Sequence, residues 1–117
     1  MPLRDDVLLI DDMIAAAEAV VRYTSGLDEE RFCGNKMLCD AVLYEIAVLG
    51  EAANGVSRAT AAQHPDIPWS FIAGMRHRVI HGYGSVDLDI VWDTATRHIP
   101  ALLPQLKGLR IKHARGT

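Results

Sequence analysis

Residues 4 to 23 read Arg4-Asp5-Asp6-Val7-Leu8-Leu9-Ile10-Asp11-Asp12-Met13-Ile14-Ala15-Ala16-Ala17-Glu18-Ala19-Val20-Val21-Arg22-Tyr23. Val7, Ile10, Met13, Ile14, Ala17, Val20 and Val21 recur at intervals of three and four, which gathers them into one stripe of an α-helix. The spacing predicts a helix from about Arg4 to Tyr23, stopped by Ser25-Gly26. An amphipathic helix must bury its stripe against something, so the fold depends on what the rest of the chain offers.

The rest offers more helices. After a polar linker holding Asp28, Glu29 and Glu30, a second stripe begins past Asn35 with Leu38, Val42, Ile46, Leu49, Ala53 and Val56, and Pro65 ends it. Pro68 suits the first position of a helix, which predicts a third, shorter one from Trp69 to about Ile80, closed by Gly82 and Gly84. Asp87 can cap a fourth, whose inward face is Leu88, Val91, Trp92, Ala95 and Ile99, with Leu102, Leu103 and Leu106 beyond Pro100. Pro100 must kink or interrupt that helix, because it lacks an N–H and its ring crowds the preceding turn. No segment alternates at period two for long enough to make a strand. The expected architecture is all-α, a bundle of four to five helices. Ala47, Gly50, Ala52 and Ala53 place small residues along the second helix, where another helix can approach closely.

The chain has 117 residues, half of them hydrophobic, which is about one domain. The expected division is a helical domain over residues 1–109 and a basic C-terminal tail over 110–117. No apolar run reaches the roughly 18 residues of a membrane span. The acidic start, Asp5-Asp6, is unlike a secretory signal, so a cytoplasmic protein is expected. Cys33 and Cys39 are too few for a disulfide framework and wrongly spaced for a zinc knuckle, which leaves them as reduced packing residues. The net charge of −3 is unevenly spread: from Thr94 onward there are five bases and no acid, while the first 93 residues hold seven bases and all fifteen acids. The basic end is either a solvated helix end or a contact for nucleic-acid phosphate.

Chemistry is concentrated in Arg76-His77-Arg78-Val79-Ile80-His81-Gly82-Tyr83. Arginine stays charged and its planar fork fits a phosphate, while histidine exchanges protons near neutrality. On an unbroken helix Arg76 and His81 would face about 140° apart. They converge only if the helix frays at Gly82 or if a second subunit supplies the matching group across a two-fold axis. The plain alternative is that these side chains merely satisfy carbonyls at a helix end. His77 and His81, four apart, have the spacing of two zinc ligands, but no third ligand is evident and Arg78 between them would repel a cation. No cofactor is expected. Trp69 and Trp92 read as core anchors rather than base-stacking platforms, and His64, His98 and His113 have no obvious partners.

The run from Ile67-Pro68-Trp69 through Arg76-x4-His81-x-Tyr83, followed by Asp87-Leu88-Asp89-Ile90-Val91-Trp92, resembles the HepT family of HEPN-superfamily toxins. The likeness extends back to Leu49-Gly50-Glu51-Ala52-Ala53 and weakly to the first helix. What the resemblance implies is a HEPN-like helical homodimer, a ribonuclease that is the toxin of a type VII toxin–antitoxin module. Arg76 and His81 match the family's catalytic pair, with His77 and Arg78 as candidate supporting residues. His77 stands where the family commonly has asparagine. Tyr83 matches the tyrosine to which an MntA-like nucleotidyltransferase antitoxin adds AMP. The implied partners are therefore a second copy, that nucleotidyltransferase and RNA, with no membrane. The alternative is a catalytically silent bundle that holds the nucleotidyltransferase or a nucleotide.

Overall fold

A computed structural model describes residues 5–81 and 85–116, with side chains as far as His113. The predicted helices form, and most begin where a short polar side chain can take up a free N–H. Asp5 accepts from the Val7 N–H at 2.9 Å to open α1 (Asp6–Thr24). Asp28 does the same for α2 (Glu29–Cys33), and Asn35 for α3 (Lys36–Gly55). Ser57 opens α4 (Arg58–Gln63). Each such cap contributes about 1 kcal/mol.

Along α1 and α3 the predicted stripes are the buried faces. Ile10, Met13, Ala17 and Val20 of α1 meet Val42, Ile46 and Leu49 of α3, all fully buried. The C-terminal helix α8 (Ile99–Gly116) lies on the other side of α1 and adds Ile99 and Leu106 to the same core. The all-α fold is therefore as expected.

Four departures refine it. The second helix ends at Gly55 rather than near Pro65, and Ser57 caps the separate α4. The polar linker is helical, because Asp28 caps it and Phe32, fully buried, anchors it in the core. The expected third helix is two five-residue pieces, α5 (Trp69–Ala73) and α6 (Met75–Val79), divided at Gly74. It also ends one residue early. Ile80 is extended, and β1 (Ile80–His81) pairs antiparallel with β2 (Ser85–Val86), with Ile80 opposite Val86 and His81 opposite Ser85. The Asp87 N–H donates to the Val79 carbonyl at 3.0 Å and closes the base of this ladder.

Pro100 acts upstream of itself. After α7 (Leu88–Asp93), capped by Asp87, the chain takes a π-helical turn over Thr94–His98 before α8 begins. The Ile99 N–H reaches back to the Thr94 carbonyl, five residues away, so the wider turn makes room for a proline ring that would crowd a regular one. Pro104 sits inside α8, and the helix continues past it to Gly116, so residues 110–116 extend the helix.

Candidate active site

Gly50 decides how α3 meets α5. A Cβ there would lie 3.2 Å from the Ile72 carbonyl oxygen and 3.4 Å from that of Ala73, so any side chain would push the two backbones apart by a few tenths of an ångström. The close approach brings α6, next in the chain, against the exposed face of α3. Between them opens a cleft of about 330 Å³, lined by Gly50, Glu51 and Asn54 from α3 and by Arg76 and His77 from α6.

Arg76, His77 and Arg78 are all exposed. Two residues turn a helix by about 200°, so Arg76 and Arg78 point to opposite flanks of α6. Arg76 faces the α3 cleft, while the Arg78 guanidinium lies 5.5 Å over the centroid of Phe71 on the other side. Among the described residues, neither arginine has a carboxylate partner. By contrast Lys36, Arg97, Lys107 and Arg110 are paired with Asp40, Asp93, Glu18 and Asp11.

His81 is exposed on β1 and opens onto a different depression of about 440 Å³, lined by Ser85, Asp87 and Asp89. One protomer therefore gathers Arg76 with His77 but does not bring His81 into the same cleft. The i, i+4 relation of His77 and His81 is also lost, because α6 ends at Val79. Among the described residues no group of three or more His, Cys, Asp or Glu side chains is placed to hold a metal ion. Tyr83 lies outside the described residues.

Elsewhere several expectations are met and two are corrected. The Trp69 indole donates to the His64 carbonyl at 3.0 Å and Trp92 packs on Phe32 at 5.3 Å, so both are core anchors. Burial raises the thiol pKa of Cys39, whose Sγ donates to the Phe32 carbonyl, and burial likewise raises Cys33. His98, expected to stand alone, has Nε2 3.3 Å from Asp93 and its ring 4.9 Å from Phe71. His113 acts electrostatically on Asp6.

Residues 13–109 match the family model described as "Ribonuclease HepT-like". The chain belongs to the HepT-like ribonuclease family. A protein of Methanocaldococcus jannaschii named "Putative RNase MJ0125" is 34% identical over 102 residues, covering 87% of this chain and 88% of its own. A Thermococcus cleftensis protein named "Probable ribonuclease HepT" is 32% identical over 101 residues, covering 86% and 92%. No solved structure matches the chain. Within this HepT-like fold, Glu51 and Asn54 are the cleft residues that motif reading did not single out as functional. Their signal was present: both are polar residues on the helix that carries Gly50, at its point of closest approach.

Proposed function

We propose that this HepT-like protein is the toxin of a type VII toxin–antitoxin module, a metal-independent endoribonuclease that works as a two-fold homodimer in the cytoplasm. The observation that carries the reading is Arg76, exposed and without an ion pair among the described residues, at the mouth of a cleft in a chain of this family. A guanidinium with no internal partner is available for a phosphodiester.

His81 serves as the base that takes the proton of the ribose 2′-OH, whose oxygen attacks the adjacent phosphorus. The P–O5′ bond breaks, the departing 5′-oxygen takes up a proton, and a 2′,3′-cyclic phosphate remains. Arg76 stabilises the charge that builds on the phosphoryl oxygens, and this interaction is stronger in the transition state than in the ground state. Because Arg76 and His81 open onto separate depressions of one protomer, the productive pairing is assigned to two copies, each contributing across the two-fold axis. DNA, without a 2′-OH, is not a substrate.

In this reading the antitoxin is an MntA-like nucleotidyltransferase that adds AMP to Tyr83, two residues from His81, placing phosphate charge and bulk where RNA must enter. Purified protein incubated with RNA should leave 2′,3′-cyclic ends, with chelator making no difference and His81→Ala inactive. Cleavage that survives His81→Ala, or that stops with chelator, overturns the mechanism. Intact mass after incubation with the nucleotidyltransferase and ATP should rise by AMP in the parent and not in Tyr83→Phe.

A further inference from the structure

The flank of α6 that carries Arg78 has an opening of its own. Pro68, Phe71, His98 and Leu102 line a mostly apolar groove of about 440 Å³ where α5 meets the π turn and the start of α8. That volume lies within the roughly 300–1,000 Å³ of small-ligand pockets. Arg78 stands over the Phe71 ring, and Arg97, whose charge is paired with Asp93, lines the groove. No acidic side chain is among its described lining residues. The nearby carboxylate, Asp93, is shared, 3.0 Å from Arg97 Nη1 and 3.3 Å from His98 Nε2.

We infer that this groove is a stacking subsite for single-stranded RNA, taking one nucleobase on Phe71 while Arg78 meets a flanking phosphate. The inference rests on the nuclease reading, since it extends the same substrate across α6. The helix is a ridge with one guanidinium free of ion pairs on each flank, Arg76 toward α3 and Arg78 toward Phe71. A strand seated at Arg76 crosses a span on the order of a helix diameter, roughly 10–12 Å, to reach the groove. There it finds an aromatic face beside fixed positive charge, the combination that holds single strands without reading their sequence. An apolar peptide would use the floor of the groove but leave its guanidinium rim unmatched. The cation–π contact of the exposed Arg78 is weak, so a base can replace the guanidinium on the ring while the guanidinium turns to phosphate.

The test is binding of a fluorescein-labelled 2′-O-methyl oligonucleotide, which cannot be cut by 2′-OH attack, followed by anisotropy. Phe71→Leu should weaken binding about tenfold, the size of one lost stack. Phe71 is half-buried, so Ala101→Glu, at an exposed lining position, gives the same loss without touching the core. An abasic position moved along the oligonucleotide should at one site cost the parent about tenfold and Phe71→Leu nothing. Parent-like binding by both variants, or an abasic penalty unchanged in Phe71→Leu, overturns the subsite. Cleavable RNA is assayed in parallel. If the parent cuts RNA while both variants bind normally, the subsite fails and the nuclease stands. If the parent never cuts but binds through Phe71, the nuclease fails and the subsite stands.

Discussion

The long-helix side of the molecule and the α6 ridge use charge in opposite ways. Between α1 and α8 two charge pairs are matched: Arg110 Nε lies 2.6 Å from Asp11, and Lys107 lies 3.2 Å from Glu18. Asp6, at the start of α1, accepts from the Ser57 and Thr60 hydroxyls at 2.6 Å each and from the Ser57 N–H at 3.0 Å. On α6, Arg76 and Arg78 stand exposed, and among the described residues neither forms an ion pair, although Glu51 lines the cleft that Arg76 faces. A matched charge holds the fold and has little left for a ligand. An unmatched one contributes little to the fold and leaves its charge available to an outside partner.

Deleting one arginine from each side separates the two roles most clearly. Arg76→Ala should lower RNA cleavage by about 10²–10³, the usual consequence of losing one donor to transition-state charge, with no change in thermal midpoint. Arg110→Ala should leave cleavage alone. It should cost about 0.2–1 kcal/mol, since the pair it breaks is at the surface. Rate assays with melting curves for the same preparations check both. A fall in midpoint for Arg76→Ala equal to that of Arg110→Ala would erase the distinction.

Between the two regions sits Gly50, which sets how near α6 comes to α3. Gly50→Ala gains about 0.5–1 kcal/mol of helix propensity. It also drives a methyl against the carbonyl oxygens of Ile72 and Ala73, at 3.2 and 3.4 Å, and backbone cannot turn aside as a side chain can. Overpacking of this kind costs about 1–3 kcal/mol, so the net effect is destabilising. Because α5 must move, Glu51 and Arg76 also part, and cleavage should fall with the midpoint. Denaturant melts and rates measured on one preparation test the coupling.

How much of this was legible in the sequence follows from the same physics. The stripes of α1 and α3 were readable because a period of 3.6 residues, sustained for five turns, has no other explanation. The helical linker around Phe32 was not, since five residues are too few to show a period and tertiary burial stabilises them. The split at Gly74 and the early end at Val79 were missed for a related reason. Helical periodicity favours one helix through Ile80, while antiparallel pairing of Ile80 with Val86, six residues on, pulls the chain into a strand, and two-residue strands are too short to show period two. At the site, the motif gave Arg76, His77 and His81 but not their separation into two depressions. Glu51 and Asn54 join Arg76 through packing about 25 residues away along the chain, which spacing cannot reveal.

Asp6 gives the comparison a pH axis. Burial raises its pKa, but the hydrogen bonds from Ser57 and Thr60, helped by His113, outweigh that and hold the carboxyl below its ordinary value of 3.8. A depressed folded pKa contributes stability that is fully present above the unfolded value and is lost as pH falls through the folded one. Asp6→Asn should therefore cost about 1 kcal/mol near neutrality, a figure reduced for partial exposure. The cost should shrink as the pH drops below about 4, where the parent also loses its charge. Urea midpoints of the two proteins across acid pH check the convergence; a gap that stays constant would mean that Asp6 acts by packing alone.

The smallest effect expected has the opposite sign and tests whether the Gly50 argument depends on position or merely on residue type. Gly108 lies inside α8, and a Cβ built there meets nothing within 4 Å. With no close approach to protect, the glycine only adds freedom to the unfolded chain, which alanine would remove. Gly108→Ala should raise stability by about 0.5–1 kcal/mol, or roughly 4 °C in thermal midpoint, and leave cleavage unchanged. If it destabilised as Gly50→Ala does, the cause in both would be intolerance of side chains on long helices generally. Gly50 would then not set how closely α3 approaches α5.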